Sequence, residues 1–140
     1  MYPYPSSSYP TFTPVSTTFW STAGSRPFEN EPFVAWLTAL VALPDSALPA
    51  VISVSYGDNE YQIDPVYAAQ MEVLFAKLCA RGSSIIYASG DGGVSGGQSE
   101  PCPNGPDGKP WFAPTFPSGS HYVTSVGSTD TSYAKVRGHF

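Results

Sequence analysis

Two short apolar, β-branched runs, AVISVS at 50–55 and SIIYAS at 84–89, enclose one helical pattern. This arrangement constrains the fold more than any other feature of the chain. A run of about 4–8 such residues bounded by turn signals reads as a strand buried on both faces, the mark of a parallel sheet. Between the runs, Tyr67, Met71, Leu74, Phe75 and Leu78 recur at helical spacing. Asp64 is placed to cap this helix, Pro65 to be its first residue, and Gly82 to follow its end. Strand, helix and strand in this order predict parallel strands joined by a right-handed crossover.

The flanks extend the pattern. ENEPFVAWLTALVAL, 29–43, carries Phe33, Trp36, Leu37, Leu40 and Val41 on one stripe, with Asn30 or Glu31 to start the helix and Pro44 to stop it. HYVTSV, 121–126, reads as a third strand. Residues 1–27, rich in Pro, Ser, Thr and aromatics, read as an irregular arm, with STTFWSTAG as a possible strand within it. The expected organisation is this arm, then residues 28–140 as part of one α/β domain.

In parallel sheets, ligands bind beyond the carboxyl ends of the strands. Two glycine-containing loops fall there, SYGD at 55–58 and SGDGG at 89–93. The second holds a lone acid, Asp91. Other chemistries fit less well. A dinucleotide loop must run into a helix, and GGQSEPCPNGPDGKP cannot begin one; a P-loop needs Gly-Lys-Ser/Thr, which does not occur. GVSGG, 93–97, matches G-x-S-x-G, but Ser95 lies in a loop and not at a strand-to-helix elbow. His121 and His139 read as loop histidines. Glu29 and Glu31, two apart, do not share a helix face and read as charge at a helix start. Cys79 reads as a buried thiol within a helix, and Cys102 lies in a Pro-rich loop; neither has metal spacing. With eleven acids against six bases, the net charge of −5 disfavours nucleic acid as a partner. No stretch is long and apolar enough to span a membrane. MYPYPSSSYP lacks the basic start and apolar run of a secretory leader. Asp91 itself keeps two readings. Asp suits glycine turns because it bonds locally. Beyond a central strand, a protonated carboxyl can instead donate a hydrogen bond to a developing oxyanion.

At these residues the chain resembles the sedolisins, the serine-carboxyl peptidases that include the tripeptidyl-peptidases. The matching stretches are EPFVAWLTAL, ALPAVISVSYGDNE, KLCARGSSIIYASGDGG and FAPTFPSGSHYVTSVGST, in the family's order. The resemblance implies a subtilisin-like parallel sheet flanked by helices, of which this chain is an incomplete part. It implies that Asp91 is the oxyanion donor, flanked by Gly90 and Gly92, which bind substrate by letting its backbone come close. It implies that Ser55, Tyr56 and Gly57 pair with an extended peptide substrate, with Asp58 beside the same cleft. It also implies work at acid pH and a secreted, lysosomal or vacuolar address. The family's nucleophilic serine lies in an SGTS motif, and SGTS does not occur here. Its E-x-x-x-D carboxylates and its calcium site likewise have no counterpart in the matched segments. The expectation is therefore a peptidase fragment, inactive alone and without a metal of its own. A peptide-binding pseudopeptidase and an unrelated α/β module binding a small ligand are the alternatives.

Overall fold

The computed structural model describes residues 16–22, 31–97, 102, 104–105 and 107–128. Helix α1, Phe33–Val41, is followed by strand β1, Val51–Val54, and a two-residue strand β2, Asp58–Asn59. Helix α2, Pro65–Ala80, leads to β3, Ser84–Ala88, then β4, Thr115–Phe116, and β5, Thr124–Val126. β1, β3 and β5 form one parallel sheet in the order β1-β3-β5, while β2 and β4 form a separate antiparallel ribbon. The parallel α/β architecture expected from the sequence is thus present, as an open sheet with two helices.

α2 folds on the signals its sequence carries. The Asp64 carboxylate accepts the Tyr67 N–H at 2.8 Å, satisfying one of the helix's free amides, and Pro65 occupies the first turn. Gly82, at φ +93°, follows the helix in the left-handed region, where a side chain would be strained. α1 has no such side-chain cap; Pro32 precedes it, one residue after Glu31 and two after Asn30, the two expected starts, and Asn30 lies outside the described residues.

The two helices pack on each other and on one face of the sheet. Leu37 and Leu40 from α1, Met71, Phe75 and Leu78 from α2, and Ile52, Ile85 and Tyr87 from the strands are all buried in one core. The burial alternation along β3, where Ile85 and Tyr87 are buried, follows from the strand's period of two. Burying such side chains contributes roughly 1.5–3 kcal/mol each. Of the expected stripes, Phe33, Trp36, Val41, Tyr67 and Leu74 sit at the margin of this core and are only partly buried.

Three details differ from the sequence reading. The third strand covers only 124–126, because 121–123 are held in a turn where Tyr122 donates to the Ser120 hydroxyl at 3.2 Å. Residues 16–22 are exposed and form no strand, so the strand expected at STTFWSTAG is not found there; Ala23 and Gly24 lie outside the described residues. Cys79 is half-buried and not fully buried; its thiol donates to the Tyr122 carbonyl at 3.2 Å.

Arg81 joins the far ends of the two helices. Its guanidinium donates to the carbonyls of Val41 at 2.7 Å and Leu43 at 2.6 Å, and to the Asp45 carboxylate at 2.8 Å. The two carbonyls lie at and just past the C-terminus of α1, where backbone acceptors have no partner within the helix. Arg81→Ala is expected to lower stability by about 2 kcal/mol, since it strands two carbonyls that a charged donor served. Urea unfolding measures it, and an unchanged midpoint would show that water replaces the guanidinium. Tyr87→Phe should move the midpoint the other way, by about 1 kcal/mol. The Tyr87 hydroxyl is fully buried with no hydrogen-bond partner among the described residues, so its removal relieves a desolvated group.

Candidate active site

β1 and β3 run parallel with Val54 opposite Tyr87. Their following segments, 55–58 and 89–93, therefore leave the sheet at the same edge. A third segment joins them. β4 pairs with β2, Asp58 opposite Phe116 and Asn59 opposite Thr115, and the Glu60 N–H donates to the Pro114 carbonyl at 2.9 Å. Thr115 then reaches across and donates its hydroxyl to the Ser89 carbonyl at 2.8 Å. The edge is thus lined by three chain segments tied to one another.

The tie explains a glycine. A Cβ at Gly57 would lie 2.9 Å from the Phe116 carbonyl oxygen, closer than real side chains come. Only glycine lets the SYG segment lie this near to β4.

Asp91 projects from this edge and is exposed. Its N–H donates to the Gly97 carbonyl at 3.5 Å, and the Gly92 N–H donates to the Gly96 carbonyl at 3.0 Å, so the loop folds back on itself. The Asp91 carboxyl makes no hydrogen bond to any described residue. Ser55, Tyr56, Gly57 and Asp58 are also exposed, while Gly90 and Gly92, within the loop, are half-buried. The residues singled out from the sequence therefore lie on two segments that leave one edge of the sheet.

Two participants were not legible in the sequence. Asn59 accepts the Gly97 N–H at 2.9 Å through its side-chain oxygen. Thr115 is the other. Asn59 lies in the string DNE, which looks like an ordinary turn, and Thr115 lies in a Pro-rich loop; nothing local signals that either meets the loop after β3.

The remaining candidates separate from this edge. Ser95 sits in a single helical turn, Gly93–Ser95, and donates to the Gly92 carbonyl at 2.7 Å; among the described residues no helix follows it to make an elbow. His121 is exposed in the turn before β5. His139 and Glu29 lie outside the described residues. Both described cysteines are unpaired with each other, the Cys102 thiol meeting the Val94 carbonyl at 3.7 Å. Burial pushes the Cys79 thiol's pKa up. Among the described residues no three His, Cys, Asp or Glu side chains gather to hold a metal. The described residues thus present no donor set for the calcium that the resemblance implies. No helix among them is long and apolar enough to cross a membrane.

Glu31 has a role other than helix-start charge. Its carboxylate accepts the Tyr56 hydroxyl at 2.5 Å, and its carbonyl accepts the Tyr67 hydroxyl. It thereby ties the start of α1 to the SYG segment and to the first turn of α2. The hydrogen bond to Glu31, with some burial and the nearby carboxylates, raises the Tyr56 phenol from 10.0 to about 12. Because the folded value is the higher one, the contact's contribution is complete below pH 10.0 and is lost as pH climbs through about 12. Glu31→Gln should return the Tyr56 midpoint toward 10.0. Phenolate absorbance, taken as the difference from Tyr56→Phe, checks this; an unmoved midpoint would remove Glu31 as the cause.

No family model matches the chain. Curated proteins do. Tripeptidyl-peptidase SED4 of Arthroderma otae is 45% identical over 113 residues, which are 79% of this chain and 18% of that protein. Tripeptidyl-peptidase SED3 of the same organism is 39% identical over 126 residues, covering 81% of this chain and 21% of that protein. Tripeptidyl-peptidase 1 of Rattus norvegicus is 40% identical over 115 residues, 82% of this chain and 19% of that protein. The chain therefore spans about a fifth of the length of these relatives. Identity of this order over most of the chain, with the SYG and SGD segments at one edge of a parallel sheet, makes it a segment of the sedolisin family of peptidases.

Proposed function

We propose that residues 28–140 are the central part of a serine-carboxyl peptidase domain, supplying its oxyanion donor and one wall of its peptide groove. One observation carries this reading most. The register of β1 on β3 brings SYGD and SGDGG to the same edge, with Asp91 exposed and its carboxyl unengaged among the described residues.

In the complete enzyme, a serine oxygen attacks the carbonyl carbon of the scissile peptide bond. A glutamate takes the serine's proton, and the carbonyl oxygen becomes negative as the tetrahedral intermediate forms. The Asp91 carboxyl, holding its own proton, donates to that oxygen. Collapse of the intermediate breaks the C–N bond, and the amine leaves with the proton. Asp91 neither gives up its proton nor bonds to carbon, so its contribution is greatest when charge is greatest. An ionised carboxylate has no proton to donate. The arrangement therefore suits acid conditions.

The substrate lies along the exposed backbone of Ser55, Tyr56 and Gly57 as an added strand. Asp58 already pairs with Phe116, which supports limiting this contact to 55–57. Gly90 and Gly92 keep side chains away from the bond to be broken. Peptides are the substrate class.

The test is a chimera. Residues 31–128 replace the matching segment of Arthroderma otae tripeptidyl-peptidase SED4, and peptide hydrolysis is followed at acid pH. The chimera is expected to be active. Asp91→Ala should then lower kcat by about 100-fold or more with KM little changed. Asp91→Asn, whose amide donates at any pH, should retain part of the rate and hold it toward neutral pH. Full activity of Asp91→Ala in an active chimera would refute the role. The 140-residue chain alone, which contains no SGTS serine, is expected to leave the same peptide intact. Measurable turnover by it would show that the nucleophile lies within these residues.

A further inference from the structure

We infer that Asn59 is a positioning residue that holds the Asp91 loop in place, an inference that rests on the reading of Asp91 as oxyanion donor. The loop after β3 leaves the sheet at Ser89 and closes at Gly97. At its closing end the Asn59 side-chain oxygen accepts the Gly97 N–H at 2.9 Å. The carbonyl of the same Gly97 accepts the Asp91 N–H at 3.5 Å. Two hydrogen bonds in series therefore run from the Asn59 amide to the Asp91 backbone.

The fit around Asn59 is close. A Cβ on Gly96 would fall 1.9 Å from the Asn59 oxygen and 3.2 Å from the Ala113 carbonyl. Gly96 also has φ +95°, where side chains are strained. The residue that permits the approach is thus a glycine for two independent reasons. The donor and acceptor ends of the amide are fixed by their neighbours. The oxygen must face the Gly97 N–H, so the nitrogen faces the Tyr61 hydroxyl, to which it donates at 3.3 Å. Tyr61 in turn lies beside Trp111, ring centres 6.2 Å apart and planes tilted by 45°. Asn59 is itself held by the β2–β4 pairing with Thr115, and Thr115 holds the opening end of the loop at Ser89. Both ends of the Asp91 loop are therefore fastened to the same short ribbon.

A donor for an oxyanion must meet an atom that exists only briefly, and small misplacements cost large factors in rate. A clamp acting through the backbone serves this without touching the substrate. It also predicts which replacement is tolerated. Aspartate at 59 keeps the oxygen that accepts from Gly97 and can accept from Tyr61. Alanine keeps neither.

Amide hydrogen exchange in the 140-residue chain, read residue by residue by NMR, tests the clamp. In Asn59→Ala, exchange is expected to speed up at least about tenfold at Gly97, Asp91 and Gly92, with the amides of β3 and α2 unchanged. Asn59→Asp should restore protection at all three. Unchanged exchange at Asp91 in Asn59→Ala would overturn the inference, and so would equal loss in Asn59→Asp. If Asn59→Ala unfolds, the Asp variant decides alone: protection retained supports the clamp, protection lost overturns it. In the active chimera, Asn59→Ala should lower kcat about tenfold with KM unchanged, and Asn59→Asp should restore it. A loss confined to KM would overturn a positioning role. If Asp91→Ala is without effect there, the reading of Asp91 fails, while the exchange rates still judge the clamp.

Discussion

Val54 of β1 stands opposite Tyr87 of β3, and most of what the chain presents follows from that pairing. Parallel strands point their carboxyl ends the same way, so two loops far apart in sequence leave the sheet together. A slip of one residue between β1 and β3 would turn either Ile52, or Ile85 and Tyr87, out of the core and lose that burial. The core thus fixes the register, and the register fixes which residues share the edge. α2 serves the same end. Its caps set its length, and its Met71, Phe75 and Leu78 set the face on which it crosses from one strand to the next.

The edge is finished by contacts that are neither core nor helix. β2 and β4 are two residues each, too short to stand alone, and persist because the larger sheet brings their chains together. In return they fasten the loops. Tyr56 to Glu31, Thr115 to Ser89 and Asn59 to Gly97 each join a loop to another element at 2.5–2.9 Å. Between these fastenings Ser55, Gly57, Asp58 and Asp91 remain exposed.

What was legible in the sequence was what is local. Asp64, Pro65 and Gly82 act on their own helix, and the apolar runs at 51–54 and 84–88 announce strands by composition alone, although only one face of each is buried where both were expected to be. The placement of Asp91 at the sheet's edge was legible, because it follows the end of β3 by three residues. The rest depends on partners distant in sequence. Nothing in DNE announces that Asn59 meets Gly97, thirty-eight positions on. Half of HYVTSV has strand composition yet lies in a turn, because the Ser120 hydroxyl and carbonyl draw in the amides of Tyr122 and Val123. Glu31 reads as helix-start charge until Tyr56 is brought beside it.

The order β1-β3-β5 has a consequence for how the chain behaves in solution. Among the described residues, β1 and β5 are each paired on one side only, and Val51 and Val126 are both more than half exposed. A strand with one side unpaired offers a ready row of donors and acceptors to any extended chain of its own kind. The net charge of −5 sets a repulsion against such encounters that salt weakens. The chain's tendency to remain single therefore depends on concentration and ionic strength together, and low-salt, dilute conditions are where its sheet meets itself least often.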